Sequence, residues 1–249
     1  MNKALRLAMG TVFLLVPFVN AFSQTQTDSS FVRQVSNRAV SYYIGALKQE
    51  APVFNGRIYR AYPYRLDNGH SYFREQALVN GTLVYEGKIY QDVQLLYDLV
   101  RDEVALSNFD HSFMLIAQAA KVDGFQIHGH YFTHIKKLPP KSGLPSPGYY
   151  DQLYKGKIEL LARRRKSIKE SAGATKIERM VSESTRYYLL KDSVYHPVSS
   201  RRSLLKVLKQ PGKSGTINQQ FIKTNRLQFR TNKEMALINL VKFYDTSSQ

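Results

Sequence analysis

The sequence predicts an α+β fold: an N-terminal helix, a central antiparallel β-sheet of roughly seven to ten strands, strongly twisted or half-barrel, and short C-terminal helices packed on it. Three observations carry that expectation. From Ile89 to Leu99 the odd positions read Ile, Gln, Val, Leu, Tyr, Leu, and the even ones between them Tyr, Asp, Gln, Leu, Asp. That two-residue alternation marks a strand with one buried and one wetter face. The aromatic set, 17 Tyr and 13 Phe with no Trp, suits pleated, half-buried surfaces. Beyond Ser200 the period changes, and Leu237, Leu240, Val241 and Tyr244 fall on one helical stripe.

In chain order, Lys3 and Arg6, the apolar run Leu7 to Val19, and the small residues Ala21 and Ser23 before Gln24 read as a secretory signal peptide over residues 1–23. The apolar run is short for the ~20 residues of a membrane span, and no later stretch is longer. The mature chain, residues 24–249, is therefore expected to be one exported α+β domain in the periplasm or cell envelope. The sequence has no cysteine, which excludes disulfides, thiolate nucleophiles and a lipoprotein anchor.

A helix is expected over Ser30 to Glu50, where Val32, Val35, Ala39, Tyr42, Tyr43, Ala46 and Leu47 recur at three- and four-residue steps until Pro52. A strand or loop from Gly56 to Tyr64 follows, broken by Pro63. Leu83 to Tyr85 is a short strand that bends at Gly87-Lys88 into the long one. Folding back at Arg101-Asp102 sets Leu99 opposite Val104 and Tyr97 opposite Leu106, which keeps one face apolar across the turn. Phe113 to Ile116 is a further strand candidate, and Ala117 to Val122 a helical turn. Phe125 to Ile135 reads as one alternating strand. Four prolines and two glycines within Pro139 to Gly148 demand a loop, and a lobe boundary there is one reading of it. Tyr149 to Tyr154 and Lys157 to Arg165 form a hairpin around Gly156. Ser167 to Thr185 is polar and reads as irregular. Tyr187 to Leu190 and Val194 to Val198 flank a turn at Lys191-Asp192-Ser193. Three amphipathic helices close the chain: one capped by Ser200, one carrying Ile217, Phe221 and Ile222, and one opened by the capping box Thr231-x-x-Glu234.

The run Tyr85-x-Gly87-x-x-Tyr90-x-x-Val93-x-Leu95-Leu96-Tyr97-Asp98 is followed by Gly148-Tyr149-Tyr150-x-x-Leu153-Tyr154-x-Gly156, by Tyr187-Tyr188, and by a Lys/Arg-rich helical tail. Together these resemble a family of uncharacterised secreted proteins of Bacteroidota. The resemblance implies an envelope location and supplies no activity and no functional residue.

Charge is unevenly spread. Residues 24–135 hold 10 basic and 11 acidic side chains, whereas residues 136–249 hold 24 and 8. The clusters Arg163, Arg164, Arg165, Lys166 and Arg201, Arg202 are the candidates for an anionic surface: lipid phosphate, lipopolysaccharide or acidic glycan, or an envelope protein. Export disfavours nucleic acid as the partner. His128 and His130 have the one metal-like spacing, since residues two apart on a strand point the same way about 7 Å apart. The alternation puts them on the wetter face, where solvated polar residues are the simpler reading. Asp110-His111-Ser112 has the residue types of a triad, but neighbours on an extended chain face opposite ways. No nucleophile elbow, zinc-protease helix motif or phosphate-binding glycine loop is present, so no cofactor is expected and catalysis has no motif to support it. The sequence therefore favours a non-catalytic envelope accessory protein. A periplasmic carrier of a lipid or other apolar ligand is the alternative, and a hydrolase of envelope polymers the third possibility.

Overall fold

The computed structural model describes residues 50–173, 176–208 and 214–247, together with six separate residues between 35 and 47. The side chains of residues 214–217 are outside that description. Eleven strands make one antiparallel sheet: β1 (Arg57–Ile58), β2 (Val79–Tyr85), β3 (Lys88–Asp98), β4 (Glu103–Ser107), β5 (Met114–Ile116), β6 (Val122–Ile127), β7 (His130–Ile135), β8 (Gly148–Lys155), β9 (Glu159–Ala172), β10 (Ile177–Lys191) and β11 (Val194–Pro197). Their order is β1-β5-β4-β3-β2-β6-β7-β8-β9-β10-β11. The α-helices that follow the sheet are α1 (Arg201–Leu208), α2 (Ser214–Thr224) and α3 (Lys233–Ser247). None is long and apolar enough to cross a membrane.

This corrects the expected α+β class. The described fold is dominated by a sheet larger than the seven to ten strands expected, with three short helices attached. The N-terminal helix expected over Ser30 to Glu50 falls on a stretch most of which lies outside the described residues.

The sheet curls. Tyr97 on β3 and Phe132 on β7 are three strand positions apart, on the order of 14 Å in a flat sheet, yet their ring centroids lie 5.0 Å apart. Tyr97 also meets Phe125 at 5.0 Å and Tyr149 at 5.7 Å, all edge-to-face. These rings, with Leu83, Leu95, Leu99, Leu106 and Ile127, fill the concave face. The curl brings β9 back to the end of β3, where the Lys166 N–H donates to the Leu99 carbonyl at 3.2 Å. At the other end, α1 to α3 lay Leu204, Leu208, Ile222, Leu237, Leu240 and Val241 against Ile158, Leu160 and Leu189.

Three local expectations change. The β3–β4 register pairs Tyr97 with Val104 and Leu95 with Leu106, a two-residue shift from that expected. The shift is even, so the buried face survives it. Phe125 to Ile135 is not one strand: His128 (φ 50°) and Gly129 (φ 76°) form a tight turn between β6 and β7, the paired positive φ angles that a two-residue hairpin requires. The polar run Ser167 to Thr185 is a long hairpin, with Ser182 opposite Ser167 and Glu183 opposite Lys166. Its ladder satisfies its own backbone groups while most of its side chains stay wet, so it needs no apolar alternation.

The helix ends also sort themselves. Ser200 caps α1 as expected: its Oγ accepts the Ser203 N–H at 3.2 Å, and Ser203 Oγ accepts the Ser200 N–H at 2.9 Å. Glu234 gives up the capping role and turns to Arg164 instead.

Candidate functional site

The predicted basic cluster divides by strand parity. Arg163 and Arg164 are buried, at 5% and 9% exposure, and both are consumed by carboxylates. The Arg163 guanidinium makes a fork on Asp102, with Nη2 at 2.6 Å from Oδ2 and Nη1 at 3.2 Å from Oδ1. It also donates to the carbonyls of Tyr149 and Pro147 and stacks over Tyr150. Tyr97 donates its hydroxyl to the same Asp102 at 2.7 Å. Gly148 is built for this approach: at φ +134°, a Cβ there would collide with the Arg163 guanidinium.

Arg164 points to the opposite face. Its Nε donates to Asp151 Oδ2 at 2.7 Å, and one Nη reaches both oxygens of Glu234 at 2.8 Å. His130 Nδ1 lies 2.7 Å from the same Asp151 oxygen, and Arg74 lies 2.7 Å from His130 Nε2. A guanidinium only donates, so Nε2 must accept and the imidazole proton sits on Nδ1, facing Asp151. Tyr187 completes the chain with a hydroxyl donated to Glu234 at 3.2 Å. Burial, reinforced by the Glu234 charge, pushes the Tyr187 phenol up to about 12.

These contacts commit Arg164 to the interior and leave Arg163 only as the clamped floor of a notch on the outer face. They also give His130 two partners other than a metal. His128 sits in the turn, with Nδ1 3.6 Å from Glu75. The expected His128–His130 pair on one strand face does not form, because the turn separates the two. Among the described residues no group of three or more His, Cys, Asp or Glu gathers to hold an ion.

A third closed centre is Asp98, which alternation alone assigns to the wet face and which is 1% exposed. The segment before β2 covers it: Tyr59 and Tyr62 each donate a hydroxyl at 3.0 Å, and the N–H groups of Val100 and Arg101 add 2.9 and 3.1 Å bonds. Lys166 is spent similarly, its ammonium capping the carbonyls of His70 and Tyr72 at 3.0 and 2.7 Å. Burial lowers the Lys166 pKa.

What remains open is on the outer face of β9 and β10. Arg165 keeps 44% of its side chain exposed, and its one carboxylate contact among the described residues is 3.4 Å to Asp102, already held by Arg163. Arg163 lies opposite Arg186, and Arg165 opposite Ser184. With Pro145, Ser146 and Tyr188 these residues line a notch of about 320 Å³. Arg186 is exposed and has no carboxylate partner among the described residues. Sequence reasoning missed it because Ser167 to Thr185 had no strand assignment, and only the β9–β10 register sets it beside Arg163. Arg201 and Arg202 stand exposed at the start of α1.

Two adjoining clefts of about 670 and 550 Å³ share Arg57, Glu103 and Ile116. Their charges largely answer one another: Arg57 pairs with Glu103, and Arg101 stacks on Tyr62 at 4.1 Å while donating to the Arg60 carbonyl.

In comparisons with known proteins, the chain matches no family model, no curated sequence and no solved structure.

Proposed function

We propose that this is an exported, non-catalytic accessory protein of the cell envelope whose basic C-terminal half binds an anionic surface. The observation that carries the reading is the separation of two classes of cation. Buried ones, Arg163, Arg164 and Lys166, are neutralised or capped inside the fold. Exposed ones, among them Lys169, Arg186, Arg201, Arg202, Arg226 and Arg230, have no carboxylate partner among the described residues. Charge that is not used to hold the fold is available to a polyanion. The leader-like N-terminus supports export, since it has the charge, length and small-residue pattern of a signal peptide.

Two features weigh against the alternatives. The interface between helices and sheet is filled by the Leu204, Leu208, Leu237 and Leu240 cluster, where a carrier needs a hollow. The buried carboxylates Asp98 and Asp151 and the part-buried Asp102 are each engaged by two or more donors within the fold, where a hydrolase needs a carboxylate open to substrate.

Sedimentation with phosphatidylglycerol vesicles tests the proposal. Binding is expected at about 0.05 M salt and should be mostly lost by about 0.5 M, because exposed charges are screened within a few ångströms there. Equal binding to neutral vesicles, or binding indifferent to salt, overturns it.

A further inference from the structure

We propose that the notch between β9, β10 and the Pro145–Pro147 turn is a built site for one phosphate group. This deepens the preceding reading, on which it rests, by giving the basic half a specific point of contact. Three arginines, Arg163, Arg165 and Arg186, line the notch, and among the described residues no acidic side chain does. A single carboxylate, Asp102, lies behind Arg163 and Arg165, so the set carries two positive charges more than it needs. Like charges directly opposite on neighbouring strands are unfavourable. Arg163 and Arg186 occupy such a pair. Arg165 and Arg186 are diagonal neighbours across the same ladder, their Cβ atoms roughly 7 Å apart by sheet geometry. That spacing lets two long guanidinium side chains converge on one tetrahedral anion.

The other lining groups fit the same ligand. Ser184 and Ser146 bring hydroxyls to the notch. Its floor is rigid: Arg163 is clamped by Asp102 and by the Pro147 carbonyl, Tyr150 donates its hydroxyl to the Ser146 carbonyl at 2.7 Å, and Tyr188 packs edge-to-face on Tyr150. The Arg186 fork and the Arg165 fork, held among the described residues only by a 3.4 Å contact to Asp102, favour a phosphate over a carboxylate, because guanidinium bonds bidentately and phosphate has oxygens for both. The volume, about 320 Å³, suits a phosphate with a small substituent and stands at the low end of the roughly 300–1,000 Å³ typical of ligand sites. A soluble phosphate monoester and a lipid phosphate headgroup share that chemistry.

Titration calorimetry with glycerol 3-phosphate, and sedimentation with phosphatidic acid vesicles, separate the two sources. The intact protein should bind glycerol 3-phosphate saturably at one site. Arg186→Gln and Arg165→Gln should each weaken that binding by roughly tenfold or more, the worth of one charge-assisted interaction. Both positions are exposed, so thermal unfolding should stay at the wild-type temperature, which rules out misfolding as the cause. Tighter retention on phosphatidic acid vesicles than on phosphatidylglycerol vesicles, lost in Arg186→Gln, identifies the headgroup as the source; retention unaffected by the substitution, with glycerol 3-phosphate binding still lost, identifies the soluble ester. If glycerol 3-phosphate does not bind, or binds the variants as well as wild type, the notch is not a phosphate site. Salt-sensitive binding to anionic vesicles would in that case still stand. Failure of vesicle binding with the notch intact would overturn the surface reading alone.

Discussion

Replacing Arg164 by Met puts the division between internal and external arginines to a quantitative test. Methionine keeps the length and the apolar stem but removes every donor. Lost with them are the 2.7 Å bond to Asp151 and the two 2.8 Å bonds to Glu234. The two carboxylates then fare differently. Glu234 has a side chain 27% exposed and turns toward water, whereas Asp151, at 1%, keeps only His130 among the described residues. Deleting one partner of a buried ion pair costs about 3–5 kcal/mol, since the other charge stays desolvated. Rehydration of Glu234 places Arg164→Met at the lower end, near 3 kcal/mol. For a domain of this size about 1 kcal/mol moves the melting temperature by roughly 2–4 °C, so a fall of about 6–12 °C is expected. Arg202→Gln, an exposed neighbour in charge but not in structure, should stay within about 0.5 kcal/mol of wild type. Urea unfolding followed by far-ultraviolet circular dichroism measures both. Equal stability of the two variants would refute the internal role of Arg164 and return it to the surface.

Two further outcomes follow from the tyrosines. Burial raises the phenol pKa of Tyr59, Tyr62, Tyr97, Tyr149 and Tyr195, and that of Tyr187 to about 12. A raised folded-state value means that the unfolded chain loses its protons first. Stability is therefore intact below about pH 10 and declines as pH rises beyond it. Absorbance at the tyrosinate band should show a fast exposed fraction and a delayed fraction that ionises only with loss of the β-sheet signal; one smooth, instantaneous titration of all 17 tyrosines would contradict this. Tyr85 is fully buried, and its hydroxyl has no partner among the described residues. Tyr85→Phe should thus hold or raise stability, by up to about 1 kcal/mol, because an unpaired buried hydroxyl costs more than it returns. A loss above about 1 kcal/mol in the same urea assay would show that the hydroxyl has a partner.

Much of the fold is legible in the order of residues. Turns at Gly87, at Asp192-Ser193 and around Gly156, the loop from Pro139, and the Ser200 cap all follow from local backbone chemistry. The Phe125 to Ile135 stretch misleads because His128-Gly129 turns the chain without breaking the apolar period on either side. Ser167 to Thr185 misleads in the other direction: a hairpin wet on most of its length carries no alternation to read. The candidate site was half visible. Arg165 belonged to an evident cluster, but Arg186 stands twenty-one positions later and joins it only through the ladder.

The sequence by itself determined where the basic charge lies along the chain and which side chains of a given strand share a face, since composition is additive and pleating has a fixed period. Tertiary structure alone decided which arginines are spent and which are free. Curling the sheet brings Asp102 from the β3–β4 turn to Arg163, and the hairpin with its helix brings Asp151 and Glu234 to Arg164. Neighbours in sequence thereby face opposite sides of β9 and meet different charges, and no local pattern encodes how far a sheet will bend.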